Sequence, residues 1–113
     1  MPLHSQVQNW LKETIRREGA DIHMGFNLYS VLTRAGFLVE QIRAEAIVQT
    51  PTQLYSVVSI VRAILPRIVA QGVASEGEID IDTLEERLDR ERQSTNATYI
   101  GDMMFGAWAR KPA

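Results

Sequence analysis

Residues 97–109, from Ala97 to Ala109, are apolar on both faces of any strand they form: Tyr99, Met103, Phe105 and Ala107 fall on one parity, Ile100, Met104 and Trp108 on the other. A strand of that kind belongs inside a sheet covered on two sides, because each apolar face gains its free energy only when it leaves water. A second segment, Phe37 to Gln49, reads as a strand of a different sort. Leu38, Ile42, Ala44, Ala46 and Val48 share one parity, with Glu40 against the pattern. Val39, Gln41, Arg43, Glu45 and Gln49 share the other, with Ile47 as the exception, so one face is mostly polar. About fifty residues separate the two segments, and that interval reads as helical.

Helices make up the rest. Ser5 to Glu18 carries an apolar stripe of Val7, Trp10, Leu11 and Ile15, with Arg16 and Arg17 in its last turn and Gly19 placed as a left-handed stop. His23 to Ala35 follows, with Asp21 as a cap, Met24, Leu28, Val31, Leu32 and Ala35 as the apolar face, and Gly36 as the stop. Thr50, Pro51 and Gln53 fit the cap, first-turn and capping-box positions of a helix that continues to Leu65. Pro66 is expected to kink that helix or begin a new segment, and Gly72 to end it. Ser75 and Glu78 make a second capping box, opening a helix to about Arg92 with a thin stripe of Ile81, Leu84 and Leu88. The charge run on this helix reads as a solvated face, with Glu86 and Arg90 favourably spaced. The expectation is an α+β fold, mainly helical with two long strands, forming a single domain over residues 1–113 with a helical insertion at about 51–92.

Composition narrows function mostly by exclusion. The formal net charge of −2 makes no electrostatic case for nucleic acid or an anionic membrane. No cysteine occurs, which removes disulfides, thiol catalysis and thiolate metal sites. The two histidines, His4 and His23, are far apart in sequence, and the acidic residues between Glu78 and Glu91 lack calcium-loop spacing. The most apolar run, Leu54 to Ala70, is interrupted by Ser56, Ser59, Arg62, Pro66 and Arg67, so it does not read as a membrane span. No secretion signal opens the chain, and a cytoplasmic location is expected. There is no glycine-rich phosphate loop and no nucleophile elbow; no catalytic residue and no metal ligand is assigned.

Three motifs, in order, carry a family resemblance. The run Arg16-Arg17-Glu18-Gly19-Ala20-Asp21-Ile22-His23-Met24-Gly25 resembles the R-G-G-D-P-H-I-G-like turn that follows the fifth strand of many small-molecule methyltransferases. Leu32-Thr33-Arg34-Ala35-Gly36-Phe37 is similar to the L-x-x-A-G-F that leads into their sixth strand. The stretch from Tyr99 to Pro112 resembles their seventh strand, with its closing A-W-G-R-K-P, and the helices between resemble the pair inserted between strands six and seven. Ile22 stands where proline is usual and Ala109 where glycine is usual. The chain is similar to the C-terminal part of a class I S-adenosylmethionine-dependent methyltransferase across nearly its whole length.

That resemblance implies several things together. Phe37–Gln49 and Ala97–Ala109 would pair antiparallel as strands six and seven, with helices covering the sheet. The Gly-x-Gly-x-Gly turn and the ribose-binding acid of the family have no counterpart in the sequence. The chain would therefore hold no cofactor alone, and S-adenosylmethionine only if completed by an N-terminal half, a separate cofactor-binding polypeptide being one such partner. His23, Met24 and Phe26 would face a small-molecule substrate, with Tyr55 and Tyr99 lining the same cavity. The plainer readings are a capping or solvated His23, core positions for Met24 and Phe26, and a packed Tyr99. With its fifth-strand neighbour missing, the last strand would keep an open edge, and a homodimer through it is expected. A stand-alone dimeric binding module for a hydrophobic ligand or protein is the competing function.

Overall fold

The computed structural model describes residues 2–52 and 56–113. Among these the elements run α1 (Pro2–Arg17), α2 (Met24–Arg34), β1 (Leu38–Gln49), α3 (Val58–Ala70), α4 (Glu76–Ile79), α5 (Ile81–Thr95) and β2 (Tyr99–Arg110). The two strands are antiparallel neighbours in one two-stranded sheet, and the fold is α+β. The chain divides into two compact units.

The helical unit comprises residues 1–20 and 49–98. Its α1, α3 and α5 pack on one another. Val7, Trp10, Leu11 and Thr14 follow the i, i+3, i+4, i+7 spacing and form the buried stripe of α1. Thr14 is buried without cost to hydrogen bonding because its hydroxyl donates to the Trp10 carbonyl at 2.7 Å. Val58, Val61 and Ile68 face this stripe from α3, and Leu84 and Leu88 do so from α5. The core also takes in Ala74 and Ile79.

Helix ends in this unit follow local chemistry in most places and tertiary contacts in others. Gly19 adopts φ 89°, and the Gly19 and Ala20 amides donate to Arg16 and Ile15, closing α1 in a Schellman arrangement. Ser75 caps α4 as its pattern predicts: its hydroxyl accepts from the Glu78 amide at 3.1 Å and its own amide donates to the Glu78 carboxylate at 3.3 Å. At its start α1 reaches back to Pro2, earlier than the expected Ser5, because the Glu91 carboxylate on α5 accepts from the Leu3 amide at 2.9 Å. That donor is one of the unpaired amides every helix start presents.

Three expectations for helix limits are corrected. The helix expected from Thr50 begins at Val58, after a turn at Pro51 and Thr52; Gln53 and Tyr55 lie outside the described residues. Pro66 lies within α3, which continues to Ala70. The buried side chains Val61 and Ile68 flank it, and their burial outweighs the one backbone hydrogen bond the proline removes. The helix expected from Glu76 to Arg92 is broken at Asp80, which turns left-handed at φ 47°, ends α4 and starts α5. Aspartate tolerates this conformation, and Thr83 supports it by donating its hydroxyl to the Asp80 carboxylate at 2.7 Å.

The sheet unit comprises residues 21–48 and 99–113. Here α2 packs against β2. Its start is set by Asp21, whose carboxylate accepts from the His23 amide at 2.8 Å, and its end by Gly36 at φ 93°. Glu40 and Arg110 form an ion pair at 3.1 Å across the strands, which places the even-numbered positions of both strands on one face. Leu38, Ile42 and Val48 of β1 and Ile100, Met104 and Trp108 of β2 share that face, and all six are exposed.

Candidate functional site

The first turn of α2 brings together three of the five residues the sequence singles out. His23 precedes the helix, and Met24 and Phe26 lie in its first turn, held by the Asp21 turn beneath them. The Phe26 amide donates to the His23 carbonyl at 3.0 Å. The His23 and Phe26 rings stand 6.4 Å apart, and Phe26 meets Phe105 of β2 edge-on with centroids 5.1 Å apart. Gly25 makes this approach possible: a Cβ there would come within 2.7 Å of three Phe105 ring carbons. Phe26 nonetheless stays 75% exposed and Met24 44%, so neither is a core residue of this chain.

Tyr99 stands elsewhere. It opens β2 on the same parity as Phe105, six residues before it, which along a strand is about 20 Å. It is half-buried and does not share the Phe26 patch. Tyr55 lies outside the described residues.

Phe105 belongs to this patch as well, although its sequence pattern marks it only as an apolar strand position. The signal for it was Gly25, the one residue without a side chain at the start of a helix whose neighbours are Met24 and Phe26. A gap there leaves room for a ring from the facing strand.

Beside this patch, Phe105, Met104, Gly106 and Trp108 line an open depression of ≈ 220 Å³ with Arg43 and Glu45 at its rim. The Trp108 ring lies over Gly106, where a Cβ would sit 3.6 Å from it. A second hollow, ≈ 330 Å³, is bounded by Ala35, Gly36, Phe37, Lys111 and Pro112. Enclosed small-molecule sites run from about 300 to 1,000 Å³ and surround most of their ligand. Both hollows are open, at or below the low end of that range, and suit a surface contact better than burial of a ligand.

The stronger electrostatics lie in the helical unit. Arg16 and Arg17 both donate to the Glu13 carboxylate, at 2.6–3.0 Å, and hold its pKa down to about 2. Arg67 donates to Glu18 at 2.9 Å and holds that carboxyl below its ordinary range. These pairs bind α1 to itself and to α3. Among the described residues no group of three or more histidine, aspartate or glutamate side chains is arranged to hold a metal ion, and no helix is long and apolar enough to cross a membrane.

Compared with protein-family models, curated proteins and solved structures, the chain matches none.

Proposed function

We propose that this chain is the C-terminal, substrate-side portion of an S-adenosylmethionine-dependent methyltransferase, acting in the cytoplasm and not catalytic alone. The observation that carries the reading is the pairing of β1 with β2 across the long helical segment that separates them. That order, strand, helices, antiparallel strand, is the one the motif resemblance implies. The sheet supports it a second way. A lone two-stranded sheet is marginal in water, and this one leaves Ile100, Met104 and Trp108 exposed, which is in keeping with a sheet that further elements complete. In this reading a cofactor-binding half adds its strands beside β2, and His23, Met24 and Phe26 face a small-molecule substrate.

Isothermal titration of the purified chain with S-adenosylmethionine tests the reading. No saturable heat is expected from the chain alone; one-to-one saturable binding overturns the assignment of the cofactor site to another half. Addition of a polypeptide bearing the Gly-x-Gly-x-Gly strand, turn and helix should restore binding if it is the right partner half.

A second reading, a dimeric binding module, draws on the same exposed sheet face. Its apolar residues would meet a second copy or a hydrophobic partner. Saturable binding of a hydrophobic probe such as an anilinonaphthalene sulfonate by a stable dimer would favour it.

A further inference from the structure

Burial is divided unequally between the two units. Every buried apolar residue among the described residues belongs to the helical unit, with Val7, Val61, Ile68, Ile79 and Leu84 fully shielded. Among the described residues, Ile60 and Val69 are the only exposed large apolar side chains that belong to that unit. The sheet unit has no buried residue at all among those described, and α2 itself has none.

We propose that the chain folds as two units of unequal stability: the helical unit holds its structure by itself, and the sheet unit opens at much lower free energy without unfolding it. The inference holds under either functional reading. Burial of apolar surface is the main favourable term in folding, and the sheet unit realises little of it. Its parts are also weak individually. An eleven-residue helix is marginal in water without tertiary packing, and a two-stranded sheet is marginal without a covered face.

The connectivity permits the separation. Residues 21–48 leave the helical unit after α1 and return to it, and residues 99–113 leave it at the end. When the sheet unit opens, the first segment becomes a loop and the second a tail. The entropy of closing such a loop grows only with the logarithm of its length, so α1 keeps its place against α3 and α5. The contacts that fix α1, Glu91 on the Leu3 amide and Arg67 on Glu18, lie wholly within the helical unit and survive the opening. What later covers Phe26 or the sheet face would order this unit as it binds, so that binding and ordering become one step.

Hydrogen exchange of the full chain, followed by mass spectrometry over a dilution series, tests the proposal. Amides of α1, α3 and α5 are expected to be protected at least about a hundredfold more than those of β1 and β2. Protection of the strands that disappears on dilution also supports it, because ordering then depends on a second copy. Equal protection of strands and helices at every concentration overturns it. Two substitutions give an independent check. Leu84→Ala should lower protection throughout α1, α3 and α5, and Phe105→Ala should leave those helices unchanged; a shared loss of protection on Phe105→Ala would overturn the separation.

Discussion

Phe26 and Phe105 meet edge-on at 5.1 Å because nothing but hydrogen occupies the side-chain position of Gly25. Packing and helix propensity therefore oppose each other at residue 25. Alanine is worth up to about 1 kcal/mol more than glycine in a helix, the full amount applying to interiors rather than to the first turn where Gly25 stands, whereas forcing an extra carbon into a filled contact costs about 1–3 kcal/mol. The carbon would meet the body of the Phe105 ring, not a flexible chain end, so the steric cost is expected to win. Gly25→Ala should speed amide exchange in α2 and β2, and Gly25→Ala with Phe105→Ala should recover part of the loss. Slower exchange in the single variant would show that the ring moves aside freely.

Asp80 is the second position where one backbone conformation decides an element. It ends α4 and starts α5 at φ 47°, a region that costs ordinary residues about 1–2 kcal/mol and β-branched ones more. Asp80→Gly should relieve that strain and lose the Thr83 bond, leaving the urea midpoint nearly unchanged. Asp80→Val should lower stability by about 2 kcal/mol, as a β-branched residue is strained in the left-handed turn and offers the Thr83 hydroxyl no side-chain acceptor. A valine variant as stable as the parent would mean that the segment can run on as a continuous helix.

These particulars mark what the sequence can and cannot disclose. Signals within one turn of helix were legible: the capping box at Ser75, the stops at Gly19 and Gly36, and the stripe through Val7, Trp10 and Leu11 all stand where their spacing puts them. The first strand was legible from its period of two and the second from apolar residues on both parities, although the face carrying Ile100, Met104 and Trp108 is exposed rather than covered; the family resemblance supplied their antiparallel pairing. Contacts between distant residues were not. The start of α1 depends on Glu91, and no local pattern announces a cap that comes from another helix. The passage of α3 through Pro66 depends on burial of Val61 and Ile68, which outweighs a local rule. The candidate site was half legible: His23, Met24 and Phe26 are neighbours in sequence and remain so in space, whereas Tyr99 lies at the far end of its strand.

Acid should weaken the helical unit through Glu13 and Glu18. Both carboxyls have folded pKa values below the ordinary 4.5, Glu13 at about 2, because arginines donate to them: Arg16 and Arg17 to the first, Arg67 to the second. A depressed folded value means that the unfolded chain binds protons more readily than the folded one. The contribution is therefore complete above pH 4.5 and is lost as pH falls toward 2. The urea midpoint should decline across that window, and high salt should shrink the decline because these pairs are solvent-accessible. Glu13→Gln combined with Glu18→Gln should flatten it. A slope of unchanged size in the double variant would place the acid-sensitive groups elsewhere.

Self-association is expected to run through the sheet unit, and the structure identifies which residue tests it cleanly. Phe105 is a poor choice, since it packs on Phe26 and its loss would damage α2 as well as any contact between copies. Met104, its neighbour on the even-numbered face, is 63% exposed and lies with Ile100, Trp108 and Ile42 on an apolar surface. Lysine there adds a charge to an exposed position, so it should cost the free chain within about 0.5 kcal/mol. In a contact between two copies the same charge would be desolvated without a partner, on both sides of a two-fold axis if the contact is symmetric. The parent chain is expected to scatter light as a dimer at micromolar concentration and Met104→Lys as a monomer, with the thermal transition of the helical unit unchanged. A monomeric parent at every concentration would mean that this face tolerates water. A dimeric Met104→Lys would move the contact away from the sheet face, to the open strand edges or to the exposed side of α2.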